Sequence, residues 1–142
     1  MILSRHFEAE KEIEEALNIY RSLTDDNRNA FIGTMVTALN SLATLHLSLE
    51  RFDEAEKNYQ EVISISLERA DINSLDVKVN LAAALLGYGC MIIEMESTER
   101  IYVAKEAWEE ALVLFKQLAE VNPQRWNYQV EITEQLLKDF SE

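Results

Sequence analysis

Three kinds of side chain in this 142-residue chain are equipped for chemistry: two histidines, one cysteine and many carboxylates. His46 lies among Leu45, Leu47 and Leu49, the surroundings of a packed structural histidine. Neither it nor His6 has a nucleophile placed beside it in sequence, as a general base would need. Glu8, Glu10, Glu12, Glu14 and Glu15 crowd one segment. Helical di-metal sites draw on Glu-x-x-His from facing helices, but the residues three before the histidines are Leu3 and Ala43. The segment therefore reads as a solvated acidic face. Cys90 has no second cysteine with which to close a disulfide or build a thiolate cluster. There is no Gly-rich phosphate loop, no Gly-x-Ser-x-Gly and no His-Glu-x-x-His. The expectation is no catalytic residue, no metal and no cofactor.

The elements that would position these groups come from a repeat. Arg5-His6-Phe7-Glu8-Ala9-Glu10, Arg51-Phe52-Asp53-Glu54-Ala55-Glu56 and Arg100-Ile101-Tyr102-Val103-Ala104-Lys105 fall into one register, offset by 46 and 49 residues. Ile13, Tyr59 and Trp108 continue it, and Asn27, Asn73 and Asn122 end it. Self-similarity at this period marks stacked helical units. Three Gly and one Pro leave little material for tight turns, and 48% apolar residues suffice for a core.

Spacings of three and four predict helices over 7–23, 31–49, 52–67, 77–95, 102–118 and 126–140. The 77–95 segment is apolar nearly all round, as in a helix enclosed by others. The asparagines that end each copy should tolerate left-handed backbone or cap the next helix. The three extra residues of the second copy fit at Ser97-Thr98-Glu99, in a turn. The division is half a unit over 1–28, whole units over 29–73 and 74–122, and a capping helix over 123–142. Met1–Arg5 aligns with Leu47–Arg51, the tail of a first helix. A piece of a longer array and a natural start with a long first helix both remain open.

A net charge of −13 argues against nucleic acid and anionic membranes as partners. The longest uncharged run, Val79 to Ile93, falls short of the ~20 residues that span a bilayer. Met1-Ile2-Leu3 leads directly into charged residues, so no signal peptide is read and a cytoplasmic protein is expected.

Small residues recur where paired helices would cross: Ala43 and Gly89 in the first helices, Ala9, Ala55 and Ala104 in the second. With Ala55-Glu56-Lys57-Asn58-Tyr59-Gln60-Glu61-Val62-Ile63, this resembles the tetratricopeptide repeat, in the longer-period form of kinesin light chains. The resemblance spans most of 5–140 and is poorest in the last helix, where Lys138 takes the small-residue place. It implies an all-α stack of about six antiparallel helices, a TPR-like α-solenoid. Its first helices would line a groove that grips peptide segments of partner proteins.

Thr37, Asn40, Thr44 and Leu47 share one helix face, as do Ala83, Leu86, Cys90 and Ile93. With Ser41 they are the candidate groove. Hydroxyls and the amide would bond a partner's polar groups, and Leu86, Cys90 and Ile93 would take an apolar side chain. Basic residues for clamping an acidic C-terminus are missing from these places. A non-catalytic module binding a protein or peptide is expected. A homo-oligomer assembled through the groove or end helices is the alternative, and a helical enzyme or small-ligand carrier stands third.

Overall fold

The computed structural model describes residues 2–23, 25–68 and 75–141, with side chains for 5–23, 31–68 and 75–141. Among the described residues there are six α-helices and no strand: α1 Ile2–Ser22, α2 Asp25–Ser48, α3 Phe52–Glu68, α4 Leu75–Glu94, α5 Ile101–Val121 and α6 Pro123–Asp139. Each packs on its neighbours in the chain, and α2 also packs on α4. This is the all-α, TPR-like stack expected from the repeat.

The small residues lie where helices cross. Ala43, Ala55 and Ala104 are fully buried. Gly89 is buried against the Trp108 indole, whose Nε1 donates to Leu86 O at 3.3 Å. A Cβ on Gly87 would stand 2.6 Å from the Tyr59 hydroxyl. Tyr59, Trp108 and Phe115 are almost wholly enclosed. Each large side chain so buried contributes about 1.5–3 kcal/mol. α6 closes on α5 through stacked Phe115 and Trp126, 5.9 Å between centroids, and through Trp108 and Phe140 at 5.5 Å.

The turns repeat as faithfully as the core. Among the described residues, Glu50 and Glu96, 46 apart, are the two non-glycine residues with positive φ, at 58° and 57°. At the first, Glu50 N donates to Leu47 O and Arg51 N to His46 O; at the second, Glu96 N donates to Ile93 O and Ser97 N to Ile92 O. Both first helices thus end in the same Schellman motif. Ser97-Thr98-Glu99 then fall between α4 and α5, partly in a 3-10 turn over Thr98–Arg100.

The arginine after each turn reaches back to the preceding unit. Arg51 pairs with Glu10 of α1 and holds Glu54 at 2.6 and 2.9 Å. Arg100 pairs with Glu56 of α3 and donates to Tyr88 Oη at 2.8 Å, while Tyr88 Oη donates to Glu56 at 2.9 Å. The Arg100 bond holds the Glu56 carboxyl below its ordinary range. Glu10 and Glu56 are equivalent positions, and Lys105 stands at the third.

Several expectations are corrected. Glu8, Glu12, Glu14 and Glu15 are exposed, but Glu10 is buried because it meets Arg51, so the acidic face is not solvated throughout. α1 runs unbroken from Ile2 to Ser22, starting five residues before the position 7 expected from the spacing. α2 starts at Asp25, so Asn27 lies inside a helix rather than at its end. Asn73 lies outside the described residues. Asn122 has the capping role: its side chain accepts from Arg125 N at 3.3 Å, with Pro123 in the first turn. α4 is 20 residues long, with mean hydropathy 1.4 in its best window, enough by length and composition to cross a membrane. The uncharged run understates it because Asp76, Lys78 and Glu94 belong to the same helix. Here its Leu81, Ala82, Ala84, Leu85, Met91 and Ile92 are buried, and it packs on α2, α3 and α5.

Candidate functional site

The first helices α2, α4 and α6 share a cleft of about 610 Å³. Gly33, Thr34 and Thr37 of α2, Asp76, Val79 and Asn80 of α4, and Arg125 and Trp126 of α6 line it. The alternation of first and second helices brings this about. Each second helix backs the stack with its apolar stripe, so the first helices keep one side uncovered.

Polar bonds tie α2 to α4 along this surface. Asn40 Nδ2 donates to Asn80 O at 3.0 Å, and Thr37 Oγ1 approaches Asn80 Oδ1 at 3.4 Å. Asn80 Nδ2 in turn donates to Asp76 O at 3.1 Å. Asn40 therefore does structural work between helices in addition to facing the surface. Thr37 and Ser41 also donate back along their own helix, to Gly33 O and Thr37 O. Thr44 Oγ1 lies 3.4 Å from the Tyr59 hydroxyl.

The remaining candidates divide by burial. Ala83, like Thr37, Ser41 and Thr44, is exposed. Leu47, Leu86, Cys90 and Ile93 are half-buried against the core cluster. Burial pushes the Cys90 thiol up from its ordinary value, with a smaller opposing effect from a hydrogen bond to Trp108. At neutral pH it is a protonated thiol of low reactivity. Of the nine, Thr37 lines the cleft.

Sequence reasoning missed Thr34, Asn80, Arg125 and Trp126. Thr34 and Asn80 are offset by 46 and stand one turn before Thr37 and Ala83, so extending the stripe backward finds them. Trp126 opens the last helix expected from the sequence, over 126–140. It is 9% exposed, and the Arg125 guanidinium lies over its ring at 4.7 Å from the centroid. That contact draws a cation to the cleft rim. Asp76 and Arg125 give the cleft one charge of each sign.

Residues 38–72 match the family model of the tetratricopeptide repeat. No curated protein and no solved structure matches the chain. The matched segment covers residues 38–48 of α2, the turn after it and all of α3. It contains Ala43 and Ala55 at the buried crossing and Tyr59 beneath the next hairpin. Tetratricopeptide repeats generally mediate protein–protein interaction or scaffolding and are typically non-catalytic. The sequence match and the helix packing agree: residues 38–72 are similar to a tetratricopeptide repeat, and the six described helices pack as a stack of that kind.

Proposed function

We propose that this chain is a non-catalytic interaction module that binds an extended peptide of a partner protein across α2, α4 and α6. The observation that carries the reading is the cleft shared by three successive first helices. Its walls are preformed by α2–α4 hydrogen bonds and by α5–α6 aromatic stacking. A partner segment bears the ordering cost while the scaffold stays as it is. Thr34 and Thr37 offer hydroxyls, Asn80 an amide, and Trp126 a flat apolar wall topped by Arg125. Continuing along the same stripe, Ser41, Thr44, Leu47 and Ala83, Leu86, Cys90, Ile93 would extend the contact. The net charge of −13 favours a neutral or basic segment.

A peptide selected from a random display library tests this. Thr34→Arg and Thr37→Arg should each weaken its binding about tenfold or more, in the range of an interface hot spot, without changing helicity. A photo-crosslinking residue at Thr34 should capture the peptide, and one at exposed Glu110 of α5 should not. Capture at Glu110, or indifference to both cleft substitutions, would refute the reading.

A further inference from the structure

A second cluster of polar groups lies away from the cleft, where α1, α2 and α3 meet at the Arg51 pair. His46 of α2 is 2% exposed. Its Nδ1 is 3.0 Å from the Asn58 side-chain amide of α3. Its Nε2 is buried and makes no hydrogen bond. A buried polar atom left in this state calls for an explanation. Carboxylates face it, with Glu54 Oε2 at 3.3 Å and Glu10 Oε1 at 3.7 Å. Glu14 lies one turn beyond Glu10 on the same helix face. Ligand atoms of Glu10, Glu14 and His46 all fall within 4.8 Å of one another. Glu14, His46, Glu54 and Asn58 line a cavity of about 290 Å³ that gives access to the cluster.

We propose that Glu10, Glu14 and His46 bind one divalent transition-metal ion of the zinc class, pinning α1 to α2. An imidazole nitrogen with carboxylate oxygens is a donor set for such ions, whereas calcium and magnesium take oxygen alone. Bonds of ~2.1 Å hold tetrahedral ligands roughly 3.4 Å apart, so a modest turn of the exposed Glu14 side chain closes the set. Charge agrees with a divalent ion. Glu10, Glu14, Glu54 and Glu61 against Arg51, Arg21 and Lys57, the last two lining the cavity, leave the pocket net negative. The outer contacts suit ligation as well. Arg51 engages Glu10 Oε2 and leaves Oε1 turned toward His46. Asn58, with its amide turned to present oxygen, fixes the tautomer that frees Nε2. Glu54 is placed to contribute a fourth ligand or to hold a metal-bound water.

Zn²⁺ titrated into the full chain, followed by calorimetry and by thermal melting with and without EDTA, tests the site. One Zn²⁺ per chain and a Zn²⁺-dependent rise in Tm, reversed by EDTA, are expected. His46→Gln should abolish the rise. Glu14→Gln removes an exposed carboxylate and leaves the apo fold intact; it should weaken Zn²⁺ binding about tenfold or more. Glu12→Gln, on the same acidic helix but outside the cluster, should bind as the parent does. Absence of a Zn²⁺-dependent shift overturns the proposal, as does Zn²⁺ binding by Glu14→Gln as tight as the parent's.

Discussion

Replacing glycine by alanine should have opposite effects at two places in this fold. In a helix interior the change alone stabilises by about 1 kcal/mol, since alanine gives up less backbone entropy. Gly33 lies within α2 with nothing within 4 Å of where a Cβ would go, so Gly33→Ala should realise most of that gain. Gly89 lies within α4 against a ring that leaves no room. A Cβ there would clash with Trp108 Nε1 and stand 2.7 and 2.8 Å from Cδ1 and Cε2. Trp108 is fully buried and cannot swing into solvent. Overpacking of this kind costs about 1–3 kcal/mol, and displacing the indole from Leu86 O costs about another 1 kcal/mol. Set against the helix gain, Gly89→Ala should destabilise by about 1–3 kcal/mol. For a chain of this length that lowers Tm by roughly 4–12 °C, while Gly33→Ala raises it by roughly 4 °C. Melting by circular dichroism at 222 nm measures both. Trp108→Phe in the Gly89→Ala background shrinks the ring and should recover part of the loss, a coupling that only contact between the two explains. A Gly89→Ala protein as stable as the parent would refute the close crossing and the packing argument built on it.

Three further outcomes follow from the turns and the polar pairs. Glu50→Gly and Glu96→Gly relieve left-handed backbone and should each stabilise by roughly 0.5–1 kcal/mol in denaturant melts. Because the Glu56 carboxyl is held below its ordinary 4.5, its contribution is present above that pH and is lost as pH falls through the lowered folded value. Glu56→Gln should therefore cost about 1 kcal/mol at pH 7, discounted for partial exposure, and should blunt the loss of stability below pH 4.5. Cys90 should react more slowly with a thiol reagent at pH 7 than a free thiol does, since burial raises its pKa.

The helices and their crossings were legible because they leave periodic marks. Ala43, Ala55, Gly89 and Ala104 could be picked out by register alone, and all are buried. The length of α2 was not legible: 25–30 carries no apolar period, yet the helix extends through it. Nor was the fate of Glu10, which looks like its exposed neighbours until Arg51, 41 residues away, comes to it. Charge and spacing alone do not say which carboxylate Arg51 will meet, so coordinates are needed to show the pair. Arg125 was hidden likewise, because the cleft it lines is shared with α2 and α4. Thr133 supplies a milder case. It is fully buried at the place equivalent to Ala84, its hydroxyl donating back to Gln129 O at 2.7 Å, so a polar residue fills a small-residue slot.

The backward reach of Arg51 and Arg100 bears on how the chain melts. Each guanidinium is anchored in one hairpin and completed by a carboxylate from the hairpin before it. The energy it contributes belongs to the seam rather than to either unit, the nearest-neighbour term of a one-dimensional array. Cutting such a link leaves every hairpin with its own core and weakens their agreement to unfold together. A single sharp transition would then broaden before its midpoint moved far.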